Sequence, residues 1–155
     1  MRTVSTIVAV VALAFVSDLL VFSHVQHAVS QQQLDDTFRA QLAEGTAPVS
    51  EGDFEDHLLA DGAPVAIIEI PALGVREVVV EGTTSGELAL GPGHRRDTVL
   101  PGQQGVSVVY GRAASYGGPF AGLQELPLDA EILVRTGQGE HTYRVLGVRY
   151  AGEAL

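Results

Sequence analysis

Apolar residues follow three different rhythms along the chain, and each predicts a different element. From Val4 to Val25 the sequence is almost unbroken apolar, with no polar residue between Ile7 and Val16. At about 1.5 Å per residue, a helix of this length spans a hydrocarbon core of about 30 Å. Asp18 interrupts the run, at about 2.5–3.5 kcal/mol for a charge at the helix centre and less near an end. The bulky Ser23-His24-Val25-Gln26-His27 that follows offers no small-x-small cleavage site. Residues 1–27 are therefore expected to form a transmembrane signal anchor, with a cleaved signal peptide as the competing reading. Arg2 is the one cation near either end, which places the N-terminus in the cytoplasm and the rest of the chain outside. The expected location is the cell membrane, single-pass, with an extracytoplasmic C-terminal domain.

The second rhythm is helical. Leu34, Phe38 and Leu42 recur at i, i+4 and i+8, after Ser30 and Gln33 spaced as a capping box and before Gly45 as a stop. A helix over 31–43 is predicted, free to run on from the membrane helix, with Asp35 and Arg39 spaced for an i,i+4 pair. Its apolar stripe is narrow, suited to packing on another helix or to grazing the domain. Glycines and prolines among acids give residues 45–64 the composition of a linker. Residues 28–64 thus read as an acidic helical stalk and linker.

The third rhythm is that of strands. Val65–Ile70, Glu77–Val80, Val106–Tyr110, Glu131–Arg135 and His141–Tyr150 are β-branched or alternating runs bounded by glycine and proline. The last two flank Gly137-Gln138-Gly139 as a hairpin. Phe120–Leu126 is the one candidate for a short helix. Residues 65–155 therefore form an all-β domain, a small barrel or sandwich.

Charge separates the same three parts. Residues 1–29 are neutral, with Arg2 and Asp18; residues 30–64 hold eight acids against Arg39; residues 65–155 hold ten acids against seven arginines, which completes the net −10. Such a balance argues against a nucleic-acid partner, because phosphate binding needs clustered cations. All nine cations are arginine, so lysine Schiff-base and phosphate-loop chemistry are excluded. Cysteine is absent too, which removes disulfides, thiolate metal sites and a thiol nucleophile.

Few local motifs carry chemistry. Gly137-x-Gly139 lacks a third glycine and sits in a hairpin, so no nucleotide cofactor is implied. His24 and His27 share a helix face but have no third ligand at a suitable spacing, so packing is expected and no metal is assigned. Asp53, Glu55, Asp56 and His57 lack the calcium-loop pattern and read as solvated linker. Ser107 and Ser115, with His94 or His141, are the only serine–histidine candidates, and neither serine has elbow glycines around it. The stretch from Gly91 to Phe120 stands out as a turn-rich loop leading into a strand and a tight turn, a β-domain decorated with a candidate groove.

This stretch carries a resemblance. Ile70-Pro71-Ala72-Leu73-Gly74-Val75, Val79–Thr83, Gly91-Pro92-Gly93-His94, Leu100-Pro101-Gly102 and Tyr116-Gly117-Gly118-Pro119-Phe120 resemble, in order and spacing, the sortases, class E-like members of high-GC Gram-positive bacteria. The resemblance covers residues 65–150 and implies a sortase-like β-barrel of eight strands, about six of them present here. The family uses a catalytic His, Cys and Arg to cleave a sorting signal through a thioester and join it to an amine. Its histidine follows a glycine at the end of the strand matching Val106–Tyr110, where this chain has Gly111-Arg112. The matching Cys and Arg belong to later strands than those reached by Leu155. On this reading no catalytic residue is assigned. Arg112, His94 and Tyr116 are ligand-binding candidates, with Arg112 alternatively structural and paired to Glu125 or Glu131. His94 belongs to a loop motif of the family and is not its catalytic histidine.

Three functions stay open. The first is a membrane-anchored sortase-like module without transpeptidase activity, binding a cell-wall polymer or surface-protein peptide. The second is the N-terminal fragment of a working cysteine transpeptidase, and the third an anchored oligomerisation domain using the stalk. If the last two strands of the barrel are lacking, open strand edges are expected.

Overall fold

The structure, a computed structural model, describes residues 2–52 and 58–149, with side chains of the first helix described from Phe22 onward. The acidic group Asp53–His57 lies outside the described residues. So do the side chains before Phe22 on which the expected membrane anchor rests. Among the described residues, no helix is long and apolar enough to cross a membrane.

A single helix, α1 (Arg2–Glu44), replaces the two predicted helical segments. Ser30 therefore lies within the helix, and its spacing to Gln33 starts nothing; an unbroken helix already supplies the carbonyls that a cap would substitute. Gly45 does end α1, at φ +72°, with its N–H 3.4 Å from the Leu42 carbonyl. Six strands follow among the described residues: β1 (Pro64–Ile70), β2 (Val75–Glu81), β3 (Gly93–His94), β4 (Val109–Tyr110), β5 (Glu131–Thr136) and β6 (Gly139–Arg144). A short helix, α2 (Glu87–Leu90), lies between β2 and β3 and was not anticipated. The predicted helix over Phe120–Leu126 shrinks to a 3₁₀ turn, Leu123–Glu125. Of the run Val106–Tyr110 only the last two residues pair, because β3 offers a partner only two residues long.

The strands form one sheet in the order β4-β3-β2-β1-β5-β6, all neighbours antiparallel except β2 and β3. The sheet is mostly as expected in its strands but is not a closed barrel. Closure requires the two end strands to share a ladder, and among the described residues β4 pairs with β3 alone and β6 with β5 alone.

Alternation along β1 sends Ile67 and Glu69 to one face and Ala66, Ile68 and Ile70 to the other. The first face is covered by α1: Phe38 packs with Ala47, Ile67 and Val78, flanked by Leu34 and Leu42. The predicted stripe therefore belongs to the domain core and is not a free stalk. On the opposite face Ala66, Val79 and Val134 meet Leu100, and Ile70 meets Leu126 and Val145.

Polar contacts fix the same docking. Asp35 accepts from Arg76 at 2.8 Å and from its i+4 neighbour Arg39 at 2.8 Å, the second as the spacing predicted. Gln31 acts as a surrogate strand at the β2 edge. Its Oε1 accepts from Val78 N at 2.6 Å, while its Nε2 donates to the carbonyls of Val78 and Leu90 at 3.2 and 2.9 Å. Val78 is buried, so these backbone groups have no easy recourse to water. Gln31→Ala is expected to lower stability by about 1–3 kcal/mol. The readout is the denaturant midpoint at unchanged slope, and an unmoved midpoint would show that water replaces the side chain.

Candidate functional site

β4 delivers the chain through Gly111 to Arg112. Gly111 is required by space: a Cβ there would lie 2.2 Å from the Phe120 ring. The ring closes the loop, helped by Phe120 N donating to the Arg112 carbonyl at 3.1 Å. Between them Tyr116, Gly117 and Gly118 all have positive φ, +50°, +78° and +57°. Two glycines take this conformation easily; Tyr116 takes it at a cost of about 1–3 kcal/mol.

That turn brings the Tyr116 ring beneath Arg112, with the guanidinium carbon 4.9 Å from the ring centroid. Further partners of Arg112 come from the connection between β2 and β3. Nε donates to Leu88 O at 3.1 Å, and Nη2 donates to Ser85 O and Ser85 Oγ at 3.1 Å each. Nη1 reaches Ser115 Oγ at 3.4 Å. Arg112 thus ties the β2–β3 connection to the loop after β4 through neutral groups. The acids proposed as its partners are engaged or elsewhere; Glu131 pairs with Arg144 at 2.7 Å. A half-buried guanidinium held this way can present charge and donors to an anion, but it exchanges no proton near neutral pH.

His94 does not share this cluster. It is 0% exposed, with Nδ1 2.8 Å from Glu81 Oε2 and Nε2 3.0 Å from the Val99 carbonyl. Burial alone pulls its pKa down, but the Glu81 carboxylate and the Val99 carbonyl outweigh that and set it above the ordinary histidine value. Arg96 donates to the other Glu81 oxygen at 3.2 Å, and to Asp61 at 2.5 Å and the Leu59 carbonyl at 2.8 Å. His94 therefore presents nothing to a ligand. Arg112 and Tyr116 come together as candidates, and His94 stands behind them inside the sheet.

The serine–histidine combinations do not form. Ser115 Oγ is taken by Arg112, while Ser107 Oγ and His141 Nε2 are buried without a hydrogen-bond partner. His27 packs against Gly117 and pairs with Glu77 at 2.9 Å, whereas His24 is exposed. The sequence does not point to the chain that runs from buried Glu81 and His94 to partly exposed Arg96 and exposed Asp61. Its one local signal is a glutamate closing an otherwise β-branched strand, Val78–Glu81.

A family model described as a sortase domain matches residues 68–154. The chain belongs to the sortase family. Its fold is similar to that of sortase E from Streptomyces avermitilis, at 33% identity and a TM-score of 0.56, over 59% of this chain and 62% of that one. Sortase E1 from Streptomyces coelicolor, solved with a tripeptide in its active site, is similar at 28% identity and a TM-score of 0.50, over 54% of this chain and 56% of that one. A sortase D5 transpeptidase from Clostridium perfringens shares the fold at 21% identity and a TM-score of 0.58, over 77% of this chain and 71% of that one. The chain spans about three fifths of the length of the S. avermitilis sortase E that it matches. A search of curated proteins finds no match.

Proposed function

We propose that this sortase-family chain is a membrane-anchored, cell-wall-facing module that binds peptide or wall polymer without transpeptidation. What carries the reading is Arg112. It occupies the position at which the sortase resemblance places the catalytic histidine, and its four donor contacts and the Tyr116 ring make it a clamp between two loops. Transpeptidation needs a group that protonates the leaving amine, and a permanently charged guanidinium cannot. The tripeptide held by S. coelicolor sortase E1 supports a peptide as the class of ligand. Arg112 would then offer its charge to a peptide carboxylate, with Tyr116 as the apolar floor.

The test is incubation of the chain with a sorting-signal peptide and an amine donor, followed by mass spectrometry. Peptide binding without cleavage or amide product is expected, and binding should weaken in Arg112→Ala. Any transpeptidation product overturns the reading. A second reading, the N-terminal part of a working sortase, is favoured by the share of sortase E that the chain spans. It needs a Thr-Leu-x-Thr-Cys strand encoded after Leu155 and a general acid other than Arg112. The downstream coding sequence tests it.

A further inference from the structure

The charge chain that runs from buried His94 and Glu81 out to Arg96 and Asp61 has no part in the Arg112 cluster. We propose that His94 is a proton switch: charged, it holds the 95–99 loop against the sheet, and neutral, it lets that loop go. Its ring sits where β2, β3 and the loop meet, with an oxygen acceptor facing each nitrogen, Glu81 Oε2 and Val99 O. Only the imidazolium has an N–H for both.

The charged and titratable surroundings favour that form. Glu81 lies on β2, and Arg96 on the loop is balanced by Asp61 ahead of β1. Arg95 and Asp97 pair with each other at 2.5 Å at the exposed end of the loop, and Glu51 acts from further off. Tyr110 of β4 bears on Arg95. With His94 charged, the buried Glu81 carboxylate stands between two cations; with it neutral, Glu81 keeps Arg96, which is partly exposed and shared with the exposed Asp61.

Removing the proton has a specific structural consequence. If the remaining N–H stays on Nδ1 for Glu81, the Nε2 lone pair faces the Val99 carbonyl at 3.0 Å. The nearest donor is the Thr98 hydroxyl, 3.2 Å away, which is already committed to the Arg95 carbonyl at 2.7 Å. Turning it to His94 breaks that bond, and the Val99 carbonyl still loses its donor. Two of the bonds that shape the loop are lost for one proton. The loop is tied in turn to the segment entering β4, through Arg95 N to Val108 O at 2.9 Å and Val108 N to Thr98 Oγ1 at 3.2 Å. Because the pKa of His94 is raised on folding, the switch is closed below the ordinary value of 6.5 and opens as pH rises through the folded value.

The experiment uses the whole chain in detergent micelles, labelled with ¹⁵N-histidine. Two-bond ¹H–¹⁵N spectra follow the protonation of each ring from about pH 5 to about pH 10. Hydrogen exchange follows the Arg95, Thr98 and Val108 amides over the same range. One ring should keep the doubly protonated pattern above pH 6.5, and amide protection should fall by about tenfold or more through the step at which that ring loses its proton. His94→Gln should abolish the step. A neutral His94 ring at pH 6.5, or protection that does not change through its titration, overturns the proposal. The wild-type spectra decide the matter even if the variant fails to fold.

Discussion

Phe38→Ala is expected to destabilise the chain by about 3–5 kcal/mol, the usual range for removing a buried phenylalanine from a core. Phe38 is 0% exposed although it lies on a helix whose pattern reads as a stalk. Its ring fills the space between α1 and the sheet, against Ile67 of β1 and Val78 of β2, with Ala47 closing the far side. The helix cannot collapse into the resulting void, because Gln31 and Asp35 hold its distance from β2. Loss of the ring therefore combines lost burial with a cavity. Phe22→Ala is the control, since Phe22 is 67% exposed and should change stability by less than about 0.5 kcal/mol. Denaturant unfolding of the two variants measures the difference. A Phe38→Ala loss below about 1 kcal/mol would mean that α1 and the sheet do not share a core.

Glu81→Ala should cost a similar amount, about 3–5 kcal/mol, for a different reason. The side chain is 1% exposed and stands between two cations, His94 at 2.8 Å and Arg96 at 3.2 Å. Truncation strands a buried imidazolium without a counter-charge and unpairs one guanidinium nitrogen. The sign of the pH dependence follows from His94. A pKa raised on folding contributes stability that is complete below about 6.5 and fades as pH rises through the folded value. The penalty for Glu81→Ala should accordingly be largest on the acidic side of neutrality, above the range where carboxylates protonate, and shrink towards alkaline pH. Thermal melts of both proteins across pH check this. A penalty that grows with pH would reverse the assignment of charge to His94.

Much of the fold was legible because its signals are local. The β-branched runs at Val65–Ile70 and Glu131–Arg135 became β1 and β5 nearly residue for residue, and Gly137-Gln138 turned the hairpin between β5 and β6. Gly45 stopped its helix and Asp35 found Arg39, both through spacings of a few residues. Val106–Tyr110 failed as a five-residue strand because a strand's length is set by its partner, and β3 pairs over only two residues. Local pattern cannot report the length of a partner that is remote in sequence.

The site was legible to the same degree. Arg112 could be singled out from the residues around it, since its chemistry differs from histidine wherever it is placed. Its partners could not. Serine hydroxyls and carbonyls carry no pattern, so the acids Glu125 and Glu131 looked like the natural choices, while Ser85 and Leu88 hold the guanidinium across more than twenty residues of chain. His94 had the opposite difficulty. A histidine in a glycine-rich stretch reads as accessible, and only the packing of β2 against β3 puts it inside.

By itself, then, the sequence determined where strands and helices form, the acidic balance without lysine or cysteine, and the presence of a guanidinium at Gly111-Arg112. Those are properties of single residues and of near neighbours. The tertiary structure alone decided that α1 is part of the core, that the described sheet stays open, and that Arg112 is a clamp while His94 is buried against Glu81. Each of these depends on groups brought together from a distance: Gln31 meets Val78 across 47 residues, and His27 meets Glu77 across 50. Such pairs are fixed by where the whole backbone runs, because burial and low dielectric, which give these contacts their energy, exist only once the sheet and helix have closed around them.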